Sequence, residues 1–104
     1  RGSCTITFHV VVQTSEVGDG VVSIQGNIPE LGNWQRSGIY FTQSPFSSED
    51  WYATVELPFE MNKRVKWNES LFDYKYVIEK GSEVVFEDGD NRSVTHIKEE
   101  FYDV

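Results

Sequence analysis

Cysteine is almost missing from this chain, since Cys4 is the only one among 104 residues. A single thiol cannot close a disulfide within the chain. Small secreted domains often rely on disulfides for their stability, so a lone cysteine favours a reducing, intracellular compartment over a secreted one.

Positive charge is also scarce. Lysine and arginine number 9 against 17 aspartate and glutamate residues, which gives a formal net charge of -8. This sign repels phosphate backbones and anionic lipid, and it argues against nucleic acid or a membrane surface as the partner. There is no run of about 18 apolar residues and no charged-then-apolar start, so we expect neither a transmembrane helix nor a signal peptide.

The chain offers little of what catalysis requires. His9 and His96 are far apart in the sequence and each falls in a predicted strand, where a histidine is usually a surface or packed residue. Cys4 has no neighbour that would activate its thiol. An HExxH motif, a glycine-rich phosphate loop, a nucleophile elbow and the carboxylate pair of a glycosidase are all missing. We therefore expect a domain that is not an enzyme and needs no cofactor.

A metal site is not indicated either. Residues 87–91, Glu-Asp-Gly-Asp-Asn, resemble half of a calcium-binding loop but lack the ligand spacing of an EF-hand. An acidic, glycine-containing stretch after a strand is usually a turn. The sequence predicts a turn here and no metal ion.

What the chain does have is the alternation of apolar and polar residues that is typical of β-strands. In residues 72–79, two sets of side chains alternate: Phe72, Tyr74, Tyr76 and Ile78 on one side, and Asp73, Lys75, Val77 and Glu79 on the other. The predicted strands are 5–12, 21–25, 51–57, 72–79, 83–86, 93–97 and 101–104. Six or seven short strands without a helical stripe, a repeat or a linker predict one all-β domain, an antiparallel sandwich of two sheets.

Aromatic residues are abundant, with three Trp, five Tyr and seven Phe. Some of these rings must fill the core of a small β domain. Trp34 is different, because it ends the loop Gly26-Asn27-Ile28-Pro29-Glu30-Leu31-Gly32-Asn33-Trp34. Two glycines and a proline exclude this loop from a helix interior or a central strand. Its indole either folds back on the core as a plug or faces outward to meet a ligand.

Four blocks of the sequence resemble carbohydrate-binding module family 20, the starch-binding domains. Gly26 and the later Leu31-Gly32-Asn33-Trp34 are similar to the family's GxxxxLGxW loop, and residues 51–58, WYATVELP, are similar to its WyxtVxLP strand. Residues 72–76, FDYKY, are similar to its FEYKF strand, and residues 86–92, FEDGDNR, to its WExxxNR segment. The blocks come in the family's order and span about residues 6–98.

The resemblance implies an immunoglobulin-like antiparallel β-sandwich of about seven strands. Residues 1–104 would form one starch- or glycogen-binding domain, in which residues 1–3 are interpreted as a cloning remnant. Such a domain is non-catalytic and monomeric, binds α-1,4-glucans such as starch, glycogen and maltooligosaccharides, and brings an attached domain to the polymer. Its relatives occur in amylases, glucanotransferases, glucan dikinases and glycogen phosphatases.

In the family, the first sugar site stacks two aromatic rings on consecutive glucose units and adds a lysine, an acidic or amide neighbour and an asparagine. At the matching positions, the resemblance assigns the rings to Trp34 and Phe86 and the polar roles to Lys75, Asn91 and Asp73. Flat rings suit the C–H faces of glucose, while charged and amide groups bridge its hydroxyls. Phe86 replaces the family's usual tryptophan and offers a smaller ring without an N–H donor.

A possible second sugar site is implied at Trp51 and Phe46, whose places are comparable to those of the family's loop aromatics. The loop 17–20 carries no tyrosine where the family often has one, which puts this site in question. Trp51 is equally compatible with a structural ring at the sheet edge and with a ring in a ligand groove. No role is assigned to Trp67.

One alternative of a different class stays open. Trp34 and Phe86 would serve as anchors if the domain were an immunoglobulin-like module that binds another protein. Asn91 also begins the sequon Asn91-Arg92-Ser93, and a glycan there would cover the predicted sugar site. A working site requires this asparagine to be unmodified, which again favours an intracellular protein.

Overall fold

The computed structural model describes residues 3–58 and 70–94. Its elements are β1 (Ser3–Val11), α1 (Thr14–Val17), β2 (Val21–Gly26), the 3-10 segment η1 (Pro29–Trp34), β3 (Ile39–Tyr40), β4 (Thr42–Gln43), β5 (Asp50–Pro58), β6 (Phe72–Lys80), β7 (Glu83–Phe86) and β8 (Arg92–Val94). In these two ranges, no helix is long and apolar enough to cross a bilayer.

The strands form two antiparallel sheets, which confirms the predicted all-β sandwich. The first sheet has the order β1-β5-β4, and the second has the order β3-β2-β6-β7. β8 also pairs with β6. The first residues of β6, Phe72–Tyr74, pair with β8, and its last residues, Val77–Lys80, pair with β7. The segment that joins β7 to β8 therefore lies beside the middle of β6.

The core lies between the two sheets and follows the alternation of the sequence. β5 buries every second residue, namely Trp51, Ala53, Val55 and Leu57, and β1 contributes Phe8. The facing sheet contributes Val22 and Ile24 from β2 and Phe72 from β6. Fully burying one such apolar side chain stabilises the fold by about 1.5–3 kcal/mol. Because each of these strands buries one face, apolar and polar residues alternate clearly along its sequence.

Most predicted strands are confirmed to within one or two residues: 5–12, 21–25, 51–57, 72–79 and 83–86. The predicted strand 93–97 is present as β8 up to Val94, and its remainder, like the whole of 101–104, lies outside the described residues. The sequence pattern did not indicate α1, β3 or β4. These elements have four, two and two residues, which is too short for a periodicity to show.

The second sheet turns one face away from the core. Paired residues in an antiparallel sheet point to the same side, and Tyr40 pairs with Ser23, Ser23 with Val77, and Val77 with Phe86. Because the neighbours Val22 and Ile24 face the core, this row of four residues lies on the opposite face of the sheet, where Tyr40 and Phe86 are exposed and Ser23 and Val77 are buried. We call Tyr40, Ser23, Val77 and Phe86 the outer row.

Candidate functional site

The loop 26–34 folds tightly against the second sheet because its glycines leave room. A Cβ atom on Gly26 would lie 2.6 Å from the main-chain oxygen of Asp73 and 2.7 Å from Cδ1 of Leu31. Leu31 is fully buried, and the following Gly32 has φ +88°, a left-handed conformation that favours glycine. The spacing of this motif thus places Leu31 in the core and turns the chain towards Trp34.

Hydrogen bonds attach the loop to the start of β6. The side-chain oxygen of Asn27 accepts from the Asp73 main-chain N–H at 2.9 Å. The Asn27 N–H in turn donates to the Asp73 carbonyl at 3.1 Å. The position of Trp34 is therefore coupled to β6, the strand that carries Asp73 and Lys75.

Trp34 is half-buried and has φ +62°, directly after Asn33 with φ +54°. A side chain other than glycine in this left-handed region costs about 1–2 kcal/mol, and such strain is retained where the surroundings enforce it, often at functional sites. Within the described residues, the apolar core and the side chains packed on it do not include Trp34. This placement favours an outward-facing indole over a core plug.

Phe86 is the last residue of β7 and belongs to the outer row. Its side chain is 40% exposed, so part of the ring is open to solvent. Its pairing partner Val77 is buried, which gives the ring a fixed apolar support. Phe86 thus offers a ring at the edge of the sheet. Its partner Val77 lies two residues after Lys75 on β6.

Lys75 holds the turn that follows Phe86. Its Nζ donates to the main-chain oxygen of Glu87 at 3.1 Å and also to that of Gly89. The main-chain N–H of Glu87 donates to the Tyr76 carbonyl at 3.0 Å. These bonds fix the segment that bulges between β7 and β8 and leads to Asn91.

The Glu87 side chain closes the same turn. Its carboxylate accepts from the Tyr76 N–H at 2.9 Å and from Nε of Arg92 at 2.9 and 3.1 Å, and the Arg92 guanidinium lies 4.9 Å from the centre of the Tyr76 ring. Burial raises the pKa of the Glu87 carboxyl, but the bonds from Arg92 and Tyr76 outweigh it and hold the pKa below its ordinary value. The segment 87–91 is therefore a braced turn, as its composition predicts.

The other two predicted polar residues differ in their surroundings. Oδ1 of Asp73 accepts hydrogen bonds from the hydroxyls of Ser70 at 2.9 Å and Ser93 at 2.8 Å. Asn91 is exposed, and its amide forms no hydrogen bond in the described part of the chain. Asn91 is thus open to a ligand, whereas Asp73 already connects the loop 26–34 with β8.

The predicted second site needs a correction. Phe46 is 95% exposed, but Trp51 is only 6% exposed and belongs to the core cluster. Its Nε1 atom is buried without a hydrogen-bond partner in the described residues. A ring packed between two sheets presents no face to a sugar, so Trp51 is the structural ring, and of the two predicted rings only Phe46 is exposed.

Two residues on the same face of the second sheet were missed from the sequence. Gln25 pairs with Lys75 and is 5% exposed, with its side-chain oxygen buried and unpartnered in the described ranges. Tyr40 is 55% exposed at the far end of the outer row from Phe86. Neither has a local signal, because only the pairing of β2 with β3 and β6 places them there.

With respect to metals, the described ranges contain no group of three or more His, Cys, Asp or Glu side chains placed to hold an ion. The Glu87 carboxylate is bound to the Arg92 guanidinium instead.

Comparison with known proteins identifies the family. The sequence model of the starch binding domain matches residues 3–101. Glucoamylase-1 of Arthroderma benhamiae is 31% identical over 88 residues, which cover 82% of this chain and 13% of the glucoamylase. The cyclomaltodextrin glucanotransferase of Paenibacillus macerans is 30% identical over 94 residues, 88% of this chain and 12% of that enzyme. The resemblance read from the four sequence blocks is confirmed, and the chain belongs to the starch-binding domain family.

Proposed function

We propose that this domain binds α-1,4-glucan chains on the outer face of its second sheet, with Trp34 and Phe86 stacking on glucose rings. Lys75 and Asn91 contact the sugar hydroxyls, and Asp73 positions the site. The observation that carries this assignment is that one strand, β6, contains the five residues or holds their segments in place. β6 contains Asp73 and Lys75, binds the loop of Trp34 through Asn27, and pairs with the strand of Phe86. Through Lys75 it also holds the turn that leads to Asn91.

The polar contacts follow from the bonds already made. An ammonium group has three N–H donors, and Lys75 directs two hydrogen bonds to main-chain carbonyls, which leaves one donor for a sugar hydroxyl. The amide of Asn91, which has no hydrogen-bond partner among residues 3–58 and 70–94, supplies both a donor and an acceptor, the combination that bridges adjacent hydroxyls. A site with fixed groups loses little conformational freedom when the ligand arrives.

Ring stacking sets the scale of the affinity. If each ring covers about 100 Å² of apolar sugar surface, stacking contributes roughly 2–3 kcal/mol per ring. Desolvation of hydroxyls and lost freedom of the ligand offset much of this. A dissociation constant between about 10 μM and 1 mM for short maltooligosaccharides is expected.

The role in a longer protein is part of the same proposal. This chain spans only 12–13% of the length of the relatives that it matches, which are a glucoamylase and cyclomaltodextrin glucanotransferases. We infer that the domain brings an attached catalytic domain, in an enzyme that acts on α-glucan, to its polymer. The binding domain contributes local concentration, and the attached domain contributes the chemistry.

Titration calorimetry with maltoheptaose tests the proposal, with cellohexaose as the β-linked control. We expect binding of the first sugar only. Trp34→Ala and Phe86→Ala should each weaken binding of maltoheptaose about tenfold or more, while the matched variant Tyr52→Ala, on the exposed face of the first sheet, should not. If maltoheptaose does not bind, the proposal is wrong and the protein-binding alternative takes its place.

A further inference from the structure

We propose that Tyr40 and Glu79 form an additional glucose-binding position on the outer face, so that a longer α-glucan chain reaches beyond Trp34 and Phe86 to the opposite edge of the sheet. This inference rests on the proposed function, because it extends the same sugar surface. Tyr40 provides the ring, and Glu79 provides the acceptor for hydroxyl groups.

The register of the sheet places Tyr40 in line with the proposed site. Tyr40 and Phe86 are the two ends of the outer row, separated by Ser23 and Val77. Three inter-strand spacings of about 4.8 Å put their Cα atoms about 14 Å apart. Both rings are exposed, Tyr40 at 55% and Phe86 at 40%. Ser23 and Val77 between them are 0% and 1% exposed, so an extended ligand that contacts both rings crosses the strands above the side chains that cover these two residues.

The Tyr40 side chain is held in place. Its hydroxyl donates to Oε1 of Glu79 at 3.0 Å, and Oε2 of the same carboxylate accepts from the Ser37 hydroxyl. The hydroxyl oxygens of Ser37 and Ser23 lie 2.8 Å apart, at hydrogen-bond distance. The hydrogen bond to Glu79, with a further contribution from burial, raises the pKa of Tyr40 above its ordinary value. Ser37 lies three residues after Trp34, so this network couples the Trp34 segment to the Tyr40 edge.

The chemistry of this edge suits a neutral sugar. A tyrosine ring stacks on the C–H face of glucose, and a carboxylate accepts strong hydrogen bonds from hydroxyl groups. The carboxylate of Glu79 needs no reorientation, because Tyr40 and Ser37 already fix it. A fixed ring and a fixed acceptor add affinity with little ordering cost. Because Tyr40 and Phe86 end the same row of the sheet, the proposed occupant is the same glucan chain rather than a second partner.

The test compares two sugar lengths by calorimetry on the full chain. The unaltered protein should bind maltoheptaose more tightly than maltotriose. Tyr40→Ala should weaken maltoheptaose binding about tenfold and change maltotriose binding less than about twofold. Tyr52→Ala is the matched control, an exposed tyrosine on the other sheet, and should change neither affinity.

Each outcome separates this inference from the proposed function. If the unaltered protein binds neither sugar, both proposals fail. If Tyr40→Ala binds both sugars as the unaltered protein does, or weakens both equally, only the Tyr40 position is overturned. If Tyr40→Ala does not fold, the ring resonances of Tyr40 in the unaltered protein decide. They should shift with maltoheptaose but not with maltotriose, and a lack of shift with maltoheptaose overturns the inference.

Discussion

Lys75 and Glu87 are joined across the edge of the second sheet, because the Lys75 ammonium donates to the Glu87 main-chain oxygen at 3.1 Å. The Glu87 carboxylate returns to accept from the N–H of Tyr76, the residue after Lys75, at 2.9 Å. The residue proposed to contact sugar thus also holds the turn that carries Asn91. The proposed sugar contact and the order of this turn therefore share one side chain.

Replacing Lys75 should therefore affect both properties. In Lys75→Met the turn 87–91 loses two hydrogen bonds from a charged donor, and we expect a loss of about 1 kcal/mol in the free energy of unfolding. Faster amide hydrogen exchange in this turn would show the effect, together with weaker maltoheptaose binding. Lys75→Arg, which keeps a donor, is the control. Unchanged exchange in the Met variant would contradict the role of Lys75 as a brace.

Phe86→Trp should strengthen sugar binding. Phe86 is 40% exposed at the end of β7, so a larger ring projects into solvent rather than into the core. An added stacking area of about 40 Å² corresponds to roughly 1 kcal/mol, or about fivefold in affinity. Calorimetry with maltoheptaose measures the change. An affinity equal to or lower than that of the unaltered protein would contradict stacking at this position.

Trp34 allows a test of the backbone as well as of the ring. Both Trp34→Ala and Trp34→Gly should lose most of the sugar binding. Because φ at this position is +62°, glycine should give the more stable variant, by about 1 kcal/mol in the free energy of unfolding. Urea unfolding compares the two. A more stable alanine variant would show that position 34 is not left-handed, and a collapse of both variants would restore the core plug.

Gly26→Ala should disturb the proposed site, because residue 26 is packed closely against β6 and Leu31. The new methyl group would lie 2.6 Å from the Asp73 carbonyl and 2.7 Å from Leu31, which forces the loop of Trp34 away from β6 at a cost of about 1–3 kcal/mol. Thermal unfolding and maltoheptaose affinity should both fall. Gly81→Asn is the control, because position 81 has open space around it and asparagine tolerates its positive φ. A Gly26→Ala variant with normal stability would contradict the close packing.

Because the pKa of the Glu87 carboxyl is lowered, we expect the free energy of unfolding to fall in acid. Its pKa is held below the ordinary value of 4.5. The stabilisation it provides is therefore present above pH 4.5 and is lost as the pH falls through the lower pKa of the folded state. Denaturant unfolding between pH 3 and pH 7 should show this decline, and Glu87→Gln should reduce it. An identical pH profile in the variant would mean that Arg92 and Tyr76 do not stabilise the ionised form.

The local pattern predicted most of the strands because each of them buries one face. In β5, the side chains of Trp51, Ala53, Val55 and Leu57 are all buried, so the alternation is complete. β3 and β4 were missed because two residues carry no period. The assignment of Trp34, Phe86, Lys75, Asn91 and Asp73 to a sugar site came from family resemblance. From the residues alone only Trp34 stood out, because it ends a loop with two glycines and a proline.

Two tryptophans show the limit of local information. Trp34 lies at the end of a loop and Trp51 near the start of a strand. Trp34 is half-buried outside the core, whereas Trp51 is 6% exposed within the core. Burial depends on what the other sheet and the neighbouring loops bring to each ring. A sequence window contains none of those contacts.

The sequence by itself determined the class of fold, the glycine-dependent loop before Trp34 and the net acidic charge. These properties follow from local periodicity, from the φ angles that glycine permits and from composition. Only the tertiary structure decided that Trp51 fills the core, that Lys75 braces the turn after Phe86, and that Tyr40 shares a face with Phe86. Those facts depend on the register of strands that are distant in the chain, and register is set by pairing across the sheet.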